Sequence, residues 1–153
     1  MNIVQRCAAF ALIALVPLAA GAAGTLVVAD AWIPEAPPGM AMHAGYATLS
    51  NAGDAPLTIQ GAASAQYGDV SIHETVVVDG VSKMRALDEI TLAPGAEVKL
   101  APGGRHLMLM QPVSAPATGS EVGIDFILAD GRRITASFAV RARDDAPHAH
   151  DHH

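Results

Sequence analysis

The sequence predicts an all-β domain, an antiparallel sandwich or partly closed barrel, on three observations. Its apolar residues fall in short β-rich runs, Gly, Pro, Asn and Asp turn signals separate those runs, and no stretch of ten or more residues holds a helical period. At 153 residues the chain suits one domain with a sizeable core rather than two.

The first element stands apart from that domain. Residues 1–23 read as a signal peptide: Arg6 in a short basic region, the apolar run "CAAFALIALVPLAA", and Ala20-Gly21-Ala22 as a small-residue cleavage site. Pro17 and the length of the run argue against a membrane span, which needs roughly 20 apolar residues, so no membrane insertion is expected after cleavage near Ala22. The single cysteine, Cys7, lies inside this leader and lacks the lead-in of a lipoprotein cysteine. The mature chain then holds no thiolate, which excludes disulfide scaffolds, cysteine nucleophiles and cysteine metal ligands. Removing Arg6 leaves 8 Lys+Arg against 15 Asp+Glu, a formal charge of −7. Such an acidic chain is a poor partner for nucleic acid and a better one for cations or basic protein surfaces.

The expected domain covers residues 24–143. Its strand runs are "TLVVADAWI", "AGYATLSN", "LTIQGA", "DVSIHETVVV", "KMRAL", "EVKL", "HLMLM", "EVGIDFIL" and "RRITASFAV". The turns between them are "EAPPGM", "NAGDAP", "VDGV", "APGAE", "APGG" and "ADGR". Asp79-Gly80 marks a two-residue hairpin turn of type I′. That turn sets a register in which Val78 opposes Val81, Val76 opposes Lys83, Thr75 opposes Met84 and Glu74 opposes Arg85. His73 and Thr75 share a face, and Met84 is the diagonal neighbour of His73.

Further along, "GGRHLMLM" alternates His106, Met108 and Met110 on one face with Leu107 and Leu109 on the other. If the leucines face the core, the histidine and methionines face outward or into a shallow cleft. Any one of these residues has an ordinary structural explanation, since methionine fills core gaps. Taken together, two imidazoles and two or three thioethers without thiolate or carboxylate form a soft, neutral donor set. That set suits Cu(I), and methionine argues against zinc.

The spacing His73-x10-Met84-x21-His106-x-Met108 resembles the H-x10-M-x21-H-x-M signature of the periplasmic PCuAC copper chaperones. The stretches "HETVVVDGVSKMRAL", "LAPGGRHLMLM" and "PPG…AGYATLSN" resemble the family from about Ala31 to Val140. The resemblance implies a cupredoxin-like Greek-key β-sandwich or barrel. It also implies Cu(I) ligation by His73, Met84, His106 and Met108, and delivery to the CuA-bearing subunit of cytochrome c oxidase or to another copper carrier. Some family members carry methionine directly after the first histidine, where this chain has Glu74. The hairpin alternation turns residue 74 to the opposite face, so the ligand set is expected to survive the change.

Auxiliary candidates surround this set. Met110 is either a neighbouring ligand or a packing residue. Met40, Met42 and His43, in "PPGMAMHAGY", are either a loop leading into a strand or a copper contact that closes over the site, with His43 on the opposite face from the two methionines. Residues 144–153, "DDAPHAHDHH", have no large apolar residue and read as a disordered tail. Its His148, His150, His152 and His153, beside Asp144, Asp145 and Asp151, suit Cu(II) better than Cu(I), unless the tail only aids solubility. Electron-transfer cupredoxins use a cysteine thiolate, which the mature chain lacks. Asp69, Asp88 and Glu89 read as scattered turn carboxylates that make no catalytic pair, so no enzyme is expected. The competing reading is a β-sandwich adhesion or assembly module whose His/Met row is incidental.

Overall fold

The structure, a computed structural model, describes residues 23–143. The leader, apart from Ala23, and the histidine-rich tail expected from the sequence lie outside the described residues.

Ten strands make up the described chain. They are β1 (Leu26–Pro34), β2 (Met42–Asn51), β3 (Leu57–Ala63), β4 (Tyr67–Val78), β5 (Val81–Leu87), β6 (Ile90–Leu92), β7 (Glu97–Leu100), β8 (Arg105–Pro112), β9 (Glu121–Leu128) and β10 (Arg133–Arg141). They join in one sheet of order β5-β4-β8-β7-β2-β1-β10-β9-β3-β6. Nine of the ten coincide with the runs expected from the sequence, and β6 is the addition. Most neighbours are antiparallel; β1 runs parallel to β10, and β7 touches β8 in parallel at Leu100 and Arg105.

Period-two patterning builds the core. Along β9 the pattern "EVGIDFIL" buries Val122, Ile124, Phe126 and Leu128 and turns the intervening residues outward. The same alternation supplies Leu49 from β2, Ile59 from β3, Ile72 from β4, Leu107 and Leu109 from β8, and Phe138 and Val140 from β10 to one continuous cluster. Each fully buried leucine or phenylalanine contributes about 1.5–3 kcal/mol of transfer free energy. At the far end of β2, buried Asn51 donates to the carbonyls of Ala55 and Leu92 and accepts from the backbone N–H of Thr25 and Gly53. No donor or acceptor of that side chain is wasted, so it pins the loops at the pole away from the N-terminal half of β2.

β2 has two neighbours on one edge. Its second half, Ala47–Ser50, pairs with β7, and its first half, Met42–Gly45, pairs with β8. β8 is therefore flanked by β2 on one side and β4 on the other, and β4 is flanked in turn by β5. All but one of the β5 residues are exposed, and only the half-buried Leu87 at its end packs against the core. The β4–β5 hairpin thus projects from the sheet edge, with the Val78↔Val81, Val76↔Lys83, Thr75↔Met84 and Glu74↔Arg85 register that the Asp79-Gly80 turn predicts.

Candidate metal centre

Leu107 and Leu109 are both 0% exposed. Alternation then turns His106, Met108 and Met110 to the outer face of β8. Cross-strand pairing decides what meets them there. His106 lies opposite His73 on β4; Met108 lies opposite Ser71 on β4 and Ala44 on β2; Met110 lies opposite Asp69 on β4 and Met42 on β2. β5 adds Met84, the partner of Thr75, diagonal to His73.

Part of this face sinks into an open cleft of about 280 Å³, lined by Met42, His43, Ala44, Tyr46, Thr75, Met84, Gly103, His106 and Met108. No carboxylate lines it. Among the described residues no three His, Cys, Asp or Glu side chains gather around one point, so the donors that do converge are imidazole and thioether.

The His106 ring is buried, and its Nδ1–H donates to the Gly104 carbonyl at 3.1 Å. A carbonyl only accepts, so Nδ1 carries a proton, and in the neutral ring Nε2 is the nitrogen with the free lone pair. His73 stands beside the cleft with its ring stacked on His106, centroids 6.1 Å apart and planes 29° from parallel. Its Nε2 is 3.1 Å from the Ser71 hydroxyl, while its buried Nδ1 has no hydrogen-bond partner. Burial, then the neighbouring His106, lower the His73 pKa, partly opposed by the Asp69 carboxylate. His73 is thus held neutral, the form in which an imidazole binds a metal. Tyr46 shelves one side of the cleft, its ring 5.0 Å from that of Trp32, and burial raises its pKa so the phenol stays protonated.

Residues 26–140 match the sequence profile of the LpqE-like family, described as "Putative lipoprotein LpqE-like". The chain belongs to the LpqE-like family. A relative in Leifsonia xyli subsp. xyli, "Putative lipoprotein Lxx21020", is 30% identical over 118 residues, covering 76% of this chain and 69% of its own. Among solved structures, the copper-bound PCuAC domain from PmoF2 superposes with a TM-score of 0.63 at 23% identity, over 76% of this chain and 92% of that domain. The solution structure of Cu(I)-DR1885 from Deinococcus radiodurans superposes with a TM-score of 0.61 at 28% identity, over 80% of this chain and 81% of the other. The LpqE-like domain described here therefore has the cupredoxin-like β fold of PCuAC domains.

Within this LpqE-like domain the predicted residues separate into three groups. Met84, His106 and Met108 line one cleft, with His73 stacked at its edge. Met110 and Met42 sit on the same face one cross-strand pair further along, and Met40 precedes β2 in an exposed turn. His43 is the exception. It belongs to β2, not to a loop, and its side chain is buried on the inner side with Nδ1 2.8 Å from the Tyr67 hydroxyl. Opposite Leu109, its imidazole turns to the core side, away from the methionine face, although the residue also borders the cleft. Asp69 also departs from expectation: it is a strand residue opposite Met110, not a turn residue.

Glu74 points away from the cleft face, as expected. It accepts from Arg85 at 2.7 Å and meets Arg105 at 3.2 Å, so three neighbouring strands carry a row of alternating charge. The Arg85 contact is first among the causes that lower the Glu74 pKa. Tyr46 and Ser71 are the site residues that sequence reasoning missed. Extending the β2 run back to Met42 places Met42, Ala44 and Tyr46 on one face by alternation alone. Ser71 follows in the same way from its place two residues before His73.

Proposed function

We propose that this protein is an exported copper carrier that holds Cu(I) through His73, Met84, His106 and Met108 and releases it to an acceptor. The observation that carries this reading is the cleft itself: imidazole and thioether donors from β5 and β8 line one open cleft with no carboxylate in its lining, and His73 of β4 stacks at its edge. Each donor is neutral, and thioethers favour the soft monovalent ion. Similarity to domains solved with copper and with Cu(I) supports the same reading. The lipoprotein names in its family support export, which agrees with the leader at residues 1–23.

An open site suits transfer. An incoming ligand from the acceptor replaces His106 or a methionine while the remaining donors still hold the ion, and copper moves by stepwise ligand exchange with no change of oxidation state. The acceptor in this proposal is the CuA-bearing subunit of cytochrome c oxidase or a second copper carrier in the periplasm. The His148, His150, His152 and His153 tail adds a separate Cu(II) function.

Anaerobic competition against a colorimetric Cu(I) chelator tests the carrier reading. Wild-type protein is expected to withdraw one equivalent tightly, and His106→Ala combined with Met108→Leu to lose that binding. A folded wild-type protein that leaves the chelator fully loaded would be an adhesion or assembly module instead. Loss of copper from the loaded protein to an isolated CuA domain, followed by absorption, tests delivery.

A further inference from the structure

No methionine among the described residues belongs to the core, which is built of Leu, Ile, Val and Phe with a few small and aromatic residues. Methionine ordinarily fills core gaps. Here Met84 is 52% exposed, Met40 46%, Met42 41% and Met110 36%, and Met108 lines the cleft. Only part of that sulfur is used by the His73, Met84, His106 and Met108 set.

The unused part has a defined arrangement. Met42 and Met110 are direct cross-strand partners between β2 and β8. Such partners place their Cβ atoms about 4.5–5.5 Å apart on one face, close enough for two flexible thioethers to close on one ion. Met42 also lines the main cleft beside Met108, so the pair and the cleft are continuous. On the other side of Met110, the directly opposite residue of β4 is Asp69, an exposed carboxylate with no ion pair among the described residues. A carboxylate beside two neutral sulfurs attracts a cation without replacing them as ligands. Met40, two residues before Met42, is exposed, and its N–H closes a turn onto the Pro37 carbonyl.

We infer that Met42 and Met110 form a second and weaker Cu(I) station made of thioethers, through which the ion passes to and from Met108. The inference rests on the His/Met cleft being the main Cu(I) site. Transfer between the two needs only that one copper–sulfur bond forms as another breaks; copper stays monovalent and no proton moves. The station binds more weakly because it has no imidazole.

Methionine ε-methyl NMR on the intact chain, titrated anaerobically with Cu(I), separates the two sites. The first equivalent should shift the Met84 and Met108 methyls, and the second should shift those of Met42 and Met110. The double variant Met42→Leu/Met110→Leu, close to volume-conserving, should lose the second phase and keep the first. Met42 and Met110 methyls that stay still through two equivalents overturn the inference. Movement in step with Met84 and Met108 at the first equivalent overturns it too, since the pair would then belong to the main site. Still methyls at Met84 and Met108 would instead remove the carrier reading, and the station with it.

Discussion

His43 follows Met42 and precedes Ala44 on β2, yet its imidazole is buried, bonded to Tyr67 across the inner side of the sheet. Burial lowers the His43 pKa from 6.5 and raises that of Tyr67 to about 12, so both groups are neutral near pH 7. The sign of the stability effect follows from the His43 shift. In the unfolded chain the imidazole takes up a proton as pH falls through about 6.5, while the folded state resists until lower pH. The unfolded state then binds more protons, so the contribution is complete above that range and is lost as pH falls through the folded value. Urea unfolding of the metal-free protein between pH 7.5 and 5 should show wild type losing stability on acidification. His43→Leu should lose less over the same interval, after costing about 1–3 kcal/mol at neutral pH for the unpaired Tyr67 hydroxyl. Identical slopes for the two proteins would remove His43 as a source. The direction of the His43 side chain was legible from alternation; its partner was not, because Tyr67 lies on another strand.

At the scale of elements, the β4–β5 hairpin was the most legible part of the chain. Asp79 and Gly80 have φ of 53° and 76°, the two left-handed residues that a type I′ turn requires, so local chemistry alone sets the register that brings Met84 near His73. Gly80→Val should cost about 1–2 kcal/mol at that turn. Because β5 reaches the core only through the half-buried Leu87, at the end far from the turn, the penalty should fall on Cu(I) retention, about tenfold weaker per 1.4 kcal/mol, with little change in the midpoint of global unfolding. A large fall in the unfolding midpoint with unchanged Cu(I) affinity would mean that the hairpin supports the core and not the site. β6 was illegible for the opposite reason. Its three residues, Ile90–Leu92, are too few to show a period, and only pairing with Leu57–Ile59 of β3 makes them a strand.

For the whole molecule, the flanking segments carry their own expectation. Deleting residues 144–153 should remove Cu(II) binding, read by electron paramagnetic resonance, and leave the Cu(I) competition result unchanged; loss of both would merge the two sites into one. Periodicity and turn chemistry by themselves determined that this is an all-β chain, that His106 and Met108 face away from Leu107 and Leu109, and that Thr75 opposes Met84. These are local properties, decided by period-two geometry and by a two-residue turn. Only the tertiary structure placed β8 between β4 and β2, setting His73 against His106, Met42 against Met110 and Tyr46 beside the cleft. Those strands are far apart in the chain, and their adjacency comes from closing one sheet around a shared core, a condition that no single segment carries.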